Sequence, residues 1–161
     1  MGQGYGYVCS KCGHEYQVDT GIGMLFPQVY RNTIKEIAEG KHGQKRKDLY
    51  KKIPFLAVDA EAYYYECEDC GYWSVEEGLD LYKPKNTEKI RKQQFGEKTV
   101  EEWGEVPYVM NYELKHDYIL VDKYDHRCPK CCGQMKKRNK TVISCPKCGT
   151  KNRPVKDVLW D

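Results

Sequence analysis

Apolar positions in this chain are spaced for short elements, and their period changes from one segment to the next. After the turn-rich run Gly21-Ile22-Gly23-Met24-Leu25-Phe26-Pro27, the residues Tyr30, Ile34, Ile37 and Ala38 recur at helical spacing, with Pro27 suited to a first helical position and Gly40 to a stop. A second, more basic helix is expected from about Gln44 to Lys52, with Leu49 and Tyr50 inward and Pro54 ending it. Ala60 to Glu66 and Tyr72 to Val75 read as strands. Lys83-Pro84-Lys85-Asn86 reads as a hinge, and Thr87 to about Glu102 as a polar helix or pair of helical turns broken near Gly96. Beyond Pro107 lies a tyrosine-rich stretch, and Asp117 to Tyr124 has the texture of a strand. Met135 to Ser144 suits a β-hairpin, with Arg138-Asn139-Lys140 near its turn and Thr141-Val142-Ile143 returning. No apolar stretch approaches the eighteen residues of a membrane span, so no membrane partner is expected.

Composition narrows this picture. A length of 161 residues suggests one or two domains, and 40% hydrophobic with 32% charged residues describes an apolar-poor globular chain. Fourteen tyrosines against three phenylalanines and three tryptophans make tyrosine the main core-builder. Its hydroxyl must then find a hydrogen-bond partner or reach the surface.

The strongest chemical signal is four Cys-x-x-Cys pairs: Cys9/Cys12, Cys67/Cys70, Cys128/Cys131 and Cys145/Cys148. Two four-thiolate sites follow, with two zinc ions as the expected cofactors. A disulfide framework would require an oxidising compartment and a removable leader, and Met1-Gly2-Gln3-Gly4-Tyr5 leads almost directly into the first pair. The expected location is therefore a reducing cytoplasm. Thiol-exchange chemistry would require a βαβ pattern around one of the pairs, and none is evident.

The pairs can be combined in three ways, and chain entropy favours the shortest loops. On that ground Cys128, Cys131, Cys145 and Cys148, in the spacing C-x2-C-x13-C-x2-C, are expected to share one ion. Cys9, Cys12, Cys67 and Cys70 then share the other across 54 intervening residues. The longer loop adds on the order of 1.2 kcal/mol, small beside roughly 10–16 kcal/mol for a structural zinc site. An interleaved combination would instead make the chain one inseparable domain.

Gly13, Gly71 and Gly149 each follow a pair directly, where a tight turn with positive φ aims backbone amides at thiolate sulfur. With these knuckles, Cys128-Pro129-Lys130-Cys131 and Cys145-Pro146-Lys147-Cys148-Gly149 resemble the zinc-ribbon superfamily. The opening Tyr7-Val8-Cys9-Ser10-Lys11-Cys12-Gly13-His14-Glu15-Tyr16 is also similar to the start of a rubredoxin, and that likeness keeps iron open as an alternative metal. Gly4-Tyr5-Gly6-Tyr7, the run from Gly21 to Pro27, and Tyr30 together resemble a group of uncharacterised bacterial zinc-ribbon proteins, a likeness that carries over no catalytic residues. The resulting expectation is an α+β chain of two small zinc-ribbon modules, each with a four-cysteine site. Residues 1–85 would form the first, with a helical insert at about 21–55; residues 86–161 would hold a helical connector and a second ribbon at about 116–150.

Some residues depart from the pattern. Cys132 stands where many ribbons have glycine, and reads as a spare thiol, a substitute ligand or a reactive thiolate. His14 and His126 each lie two residues from a cysteine ligand, and either could complete a site of three cysteines and one histidine.

Charge alone points to no partner. The formal net charge is +3, but eight thiolates and two divalent ions bring it to about −1. Two local clusters could meet a protein or nucleic acid: Lys41, Lys45, Arg46, Lys47, Lys51 and Lys52 in the insert, and Lys136, Lys137, Arg138 and Lys140 near the C-terminus. Exposed rings such as Tyr63, Tyr64, Tyr65 and Trp73 could stack on bases. Glu61, Glu66, Glu68, Asp69, Glu76 and Glu77 read as a solvated acidic surface. No phosphate-binding glycine loop, nucleophile arrangement or small-molecule site is evident, and metal sites filled by four cysteines leave no open position for catalysis. The expected function is a non-catalytic, metal-stabilised interaction module, with rubredoxin-like electron transfer as the alternative.

Overall fold

The computed structural model describes residues 2–96 and 107–160 and shows an α+β fold in which every described strand pairing is antiparallel. The chain forms two units, one from Met1–Met24, Glu61–Glu77 and Asp125–Asp161, the other from Leu25–Ala60 and Gly78–Tyr124.

The first unit is built on strands β1 (Gly2–Val8), β2 (Glu15–Gly21), β4 (Ala62–Cys67), β5 (Trp73–Glu77), β8 (Met135–Lys137) and β11 (Lys156–Trp160). They run in the order β11-β1-β2-β4-β5, and β8 also pairs with β4. Two short strands, β9 (Ile143–Ser144) and β10 (Lys151–Asn152), form a separate pair. In β1 the alternation of Gly and Tyr sends rings to one face and leaves the other bare. A Cβ at Gly4 would lie 2.3 Å from Asp19 Oδ1, so the bare face is where the neighbouring strand's side chain crosses.

The ring-bearing face builds the core with Tyr7, Val18, Tyr64 and Ile143 buried together, and Tyr5, Tyr16, Trp73 and Val75 packed against them. Tyr7 stacks on Tyr16 with ring centres 4.9 Å apart. The polar tips are satisfied: Tyr7 donates to the Thr141 carbonyl at 3.0 Å, Tyr16 to that of Ile143 at 3.1 Å, and Trp73 Nε1 to that of Ser144 at 2.8 Å. Tyrosine therefore serves as core and as a clasp on the segment leading into β9.

The second unit has a three-stranded sheet in the order β3 (Ala57–Val58), β6 (Leu81–Pro84) and β7 (Tyr118–Asp122). Its helices are α1 (Phe26–Glu39), α2 (Gln44–Lys52), α3 (Thr87–Phe95) and α4 (Asn111–Asp117). Helix α1 buries Phe26, Tyr30, Thr33, Ile34 and Ile37, carries Pro in its first turn, and ends at Gly40 in the left-handed conformation, as the spacing predicts. The segment read as a hinge instead completes β6, and the Asn86 side chain caps α3 by accepting from the Lys89 amide at 2.9 Å. Helix α3 ends at Gly96; the rest of the helix expected to Glu102 lies outside the described residues.

In α2 the inward residue is Arg46, while Leu49 and Tyr50 are only half-buried. The Arg46 guanidinium donates to the Leu79 carbonyl, lies 3.7 Å from Asp122 Oδ2, and sits 4.9 Å from the centre of the Tyr124 ring. Leu79 holds a φ of 60°, uncommon outside glycine, and its amide donates to the Asp59 carbonyl at 2.7 Å. Arg46 thus braces a strained turn from inside the fold.

The units do not follow the expected 1–85 and 86–161 boundary. Residue 86 lies inside the second unit, and all four cysteine pairs lie in the first. The hairpin expected between Met135 and Ser144 is replaced by other pairings: β8 pairs with β4 and β9 with β10.

Removing the Arg46 side chain leaves the Leu79 carbonyl without its buried donor, leaves Asp122 to Lys45 alone, and opens a cavity beneath the strained turn. Arg46→Ala is expected to lower stability by about 3 kcal/mol in denaturant unfolding, whereas Lys51→Ala, on the exposed side of α2, stays within about 0.5 kcal/mol of the parent.

Candidate metal centres

Each Cys-x-x-Cys pair sits at the tip of two short antiparallel segments, and all four tips share one backbone pattern. The amide of the first cysteine donates to the carbonyl five residues on, and its own carbonyl accepts from the amide four residues on. The partners are His14 and Gly13 for Cys9, Tyr72 and Gly71 for Cys67, Gly133 and Cys132 for Cys128, and Thr150 and Gly149 for Cys145, all at 2.7–3.1 Å. The flanking pairs Val8/Glu15, Glu66/Trp73, Arg127/Gln134 and Ser144/Lys151 follow the same register. The residue four positions after the first cysteine takes a positive φ every time: Gly13 at 69°, Gly71 at 72°, Cys132 at 59° and Gly149 at 77°.

These knuckles meet in a nested combination. Cys9 and Cys12 join Cys145 and Cys148, and Cys67 and Cys70 join Cys128 and Cys131; within each group all four sulfurs lie within 4.8 Å of one another. This corrects the expected sharing of one ion by Cys9, Cys12, Cys67 and Cys70 and of the other by the remaining four. The physical reason is strand pairing. β8 lies along β4 with Cys67 opposite Met135, which brings the third knuckle to the second. Asn152 ties the fourth knuckle to the first: its Oδ1 accepts from the Ser10 amide at 3.0 Å, and its Nδ2 donates to the Thr150 carbonyl at 2.8 Å and to the Tyr16 hydroxyl at 3.3 Å.

The donor sets fit a tetrahedral metal. Sulfurs at the corners of a tetrahedron around an ion bound at about 2.3 Å would lie about 3.8 Å apart. Between knuckles the sulfurs stand 3.4 Å apart for Cys9–Cys148, 3.8 Å for Cys12–Cys145, 3.4 Å for Cys67–Cys131 and 3.6 Å for Cys70–Cys128, and all nine cysteines are free of disulfides. In each pair the first cysteine is buried and the second exposed.

Electrostatics within the groups also calls for a cation. The Cys12 amide, against an opposing effect of burial and with help from the Lys11 amide, pulls the Cys9 thiol down to about 6. Cys128 feels burial most strongly, but the amides of Cys131 and Lys130 outweigh it and hold the thiol at about 7. The second cysteines behave oppositely. For Cys12 the His14 amide favours the thiolate, yet burial and the neighbouring sulfurs push it up to about 11; for Cys131 the Gly133 amide is likewise outweighed by Cys67 and Cys70, and the value is about 12. Four adjacent thiolates cannot coexist at neutral pH unless a positive ion offsets their repulsion.

Both histidines lie outside the donor sets. His14 stacks near Tyr16, and His126 is buried, stacked on Tyr65 at 3.9 Å with Nδ1 2.9 Å from Glu76 Oε2. Cys132 is also outside both groups and occupies the left-handed position that glycine fills in the other three knuckles. Next to it, a Cβ on Gly133 would lie 3.1 Å from the Cys67 sulfur and would displace the tip of the Asp69 side chain.

The C-terminal basic cluster is brought against the acidic one. Lys136 and Arg138 reach Glu68 at 2.9 and 3.3 Å, and Lys140 pairs with Glu66. Although burial would raise the Glu66 carboxyl, its hydrogen bonds from Lys140 and Tyr64 hold it below the usual range. Glu76 meets His126, and Glu61 accepts from the Tyr63 hydroxyl at 2.9 Å. The insert cluster is also engaged: Arg46 is buried, Lys45 pairs with Asp122, and Lys47 donates to the Glu39 carbonyl at 3.4 Å. Asn152 and the link between acidic and basic clusters escape sequence reasoning, because both depend on which knuckles meet.

Comparison with protein-family models, with curated proteins and with solved structures finds no match to this chain.

The nested combination has a chemical signature. In metal-loaded protein carrying Cys145→Ser and Cys148→Ser, Cys9 and Cys12 should become open to alkylation while Cys67, Cys70, Cys128 and Cys131 stay protected, as read by mass spectrometry of labelled peptides. The strained knuckle gives another test: Cys132→Gly should raise unfolding stability by roughly 0.5–1 kcal/mol with unchanged metal content.

Proposed function

We propose that this chain is a non-catalytic protein with two structural zinc ions, one in each four-cysteine group, and that it works as an interaction module in a reducing compartment. The observation that carries the reading is that each group already supplies four sulfur ligands from rigid, amide-lined knuckles. A tetrahedral ion held in this way has no vacant position for water or substrate. The ions would contribute folding energy that the small clusters around Tyr7, Tyr64 and Tyr65 in the first unit do not supply on their own. Zinc-ribbon-like modules are supported by the same knuckle pairing, although the nested combination differs from two consecutive ribbons.

The module's interaction role rests on the exposed segment Lys136–Lys140, which the fold clasps at both ends. The Arg138 amide donates to the Tyr64 carbonyl at 2.9 Å, and the Tyr7 hydroxyl holds the Thr141 carbonyl. A partner would meet this pre-ordered surface with little loss of chain entropy. Iron in a rubredoxin-like electron carrier is the second reading, because all four knuckles direct amides and thiols as such a site also requires.

Protein produced without added metal should contain about two zinc ions per chain by elemental analysis and show no visible absorption. Removing the metal with a chelator should unfold the cysteine-bearing unit, read by near-ultraviolet circular dichroism of its tyrosines and tryptophans. Iron with a red colour would replace the structural reading with the electron-transfer one.

A further inference from the structure

A groove of about 470 Å³ opens within the first unit, between the ring-bearing face of the β1–β2 pair and the clasped segment that follows β8. Its cations are Lys137, Arg138 and Lys140, and among the described residues no carboxylate lines it. Lys137 holds its ammonium 3.1 Å above the centre of the Tyr63 ring, while Arg138 is tied back to Glu68 just beyond β4 and Lys140 to Glu66 on it. Lys136, beside them on β8, also reaches Glu68 at 2.9 Å. Tyr5 is half-buried in the groove, and Gln3 and Asn139 bring side-chain amides to its exposed side.

We propose that this groove binds single-stranded nucleic acid, one or two nucleotides at a time. The inference rests on the interaction-module reading above and names the partner of that surface. The volume lies within the range of sites that enclose a small organic group. Cations along one wall suit a phosphodiester backbone, tyrosine on the floor suits a base face, and amides that both donate and accept can meet base edges without selecting one base. A duplex keeps its base faces stacked inside, so it cannot use the tyrosine floor. An acidic peptide would satisfy the cations but has no planar group for the rings.

The test uses metal-loaded full-length protein and fluorescein-labelled oligothymidylate of about twelve nucleotides, long enough to overrun a groove of this size, followed by anisotropy at several salt concentrations. Binding is expected, with affinity falling as salt rises. Lys137→Ala should weaken it several-fold and reduce the salt slope by about one unit. Tyr5→Ala should weaken it about tenfold with the slope unchanged, and Lys51→Ala, in the other basic cluster, should have no effect.

The inference is overturned if folded, metal-loaded protein fails to bind at low salt. It is also overturned if duplex DNA or polyglutamate competes as well as the single strand does, or if Tyr5→Ala and Lys137→Ala bind like the parent. Metal content and circular dichroism of each sample separate the two levels of the argument. Protein that lacks metal but stays folded counts against the structural-zinc reading; loaded protein without single-strand binding counts against the groove alone.

Discussion

The mutual repulsion of clustered thiolates is the constraint on which the rest of the first unit depends. Four sulfurs within 4.8 Å of one another are tolerable only around a cation, and each group can assemble only when two knuckles distant in the chain are held together. The chain does this with ordinary secondary structure. β8 aligns the third knuckle with the second, Asn152 and Tyr16 hold the fourth beside the first, and Trp73 on β5 also holds the Ser144 carbonyl. The cysteine groups and the sheet therefore depend on each other, and neither is a decoration on a fold completed elsewhere.

Magnitudes explain why short loops lost. Cys12 and Cys145 stand 133 residues apart, and closing that span rather than a 13-residue one costs about 2 kcal/mol more by loop entropy. A handful of cross-strand hydrogen bonds and one buried amide are enough to reverse such a preference. Knuckle geometry is local, and therefore legible: the Cys-x-x-Cys tips, the left-handed glycine after three of the pairs and the helix from Phe26 to Glu39 all follow from neighbouring residues. The combination of knuckles is a long-range choice. Loop entropy alone selects the wrong one, and the expected hairpin between Met135 and Ser144 and the boundary near residue 86 are misplaced with it.

The same choice changes the meaning of charge along the chain. Glu66 and Glu68 on one segment and Lys136, Arg138 and Lys140 on another look like two solvated clusters when read in order. Antiparallel pairing of β4 with β8 places Glu66 opposite Lys136 and turns the clusters into facing partners. In the second unit, periodicity locates α2 but not its inward residue, because an arginine lies where the pattern favours Leu49 and Tyr50. Its role follows from the strained turn at Leu79 and the carboxylate of Asp122, which no spacing rule reveals.

The nested arrangement also sets an order of events during synthesis. A ribosome adding about 5–20 residues per second needs on the order of ten seconds to travel from Cys12 to Cys145, which are 133 positions apart. Throughout that interval the first knuckle has no counterpart and its thiols stand open to oxidants and to metals of the wrong kind. The second and third knuckles emerge together sooner, being separated by 58 positions between Cys70 and Cys128. If both groups take up metal as they emerge, the inner pair can assemble first, and the earliest cysteines to be made would be among the last to be protected.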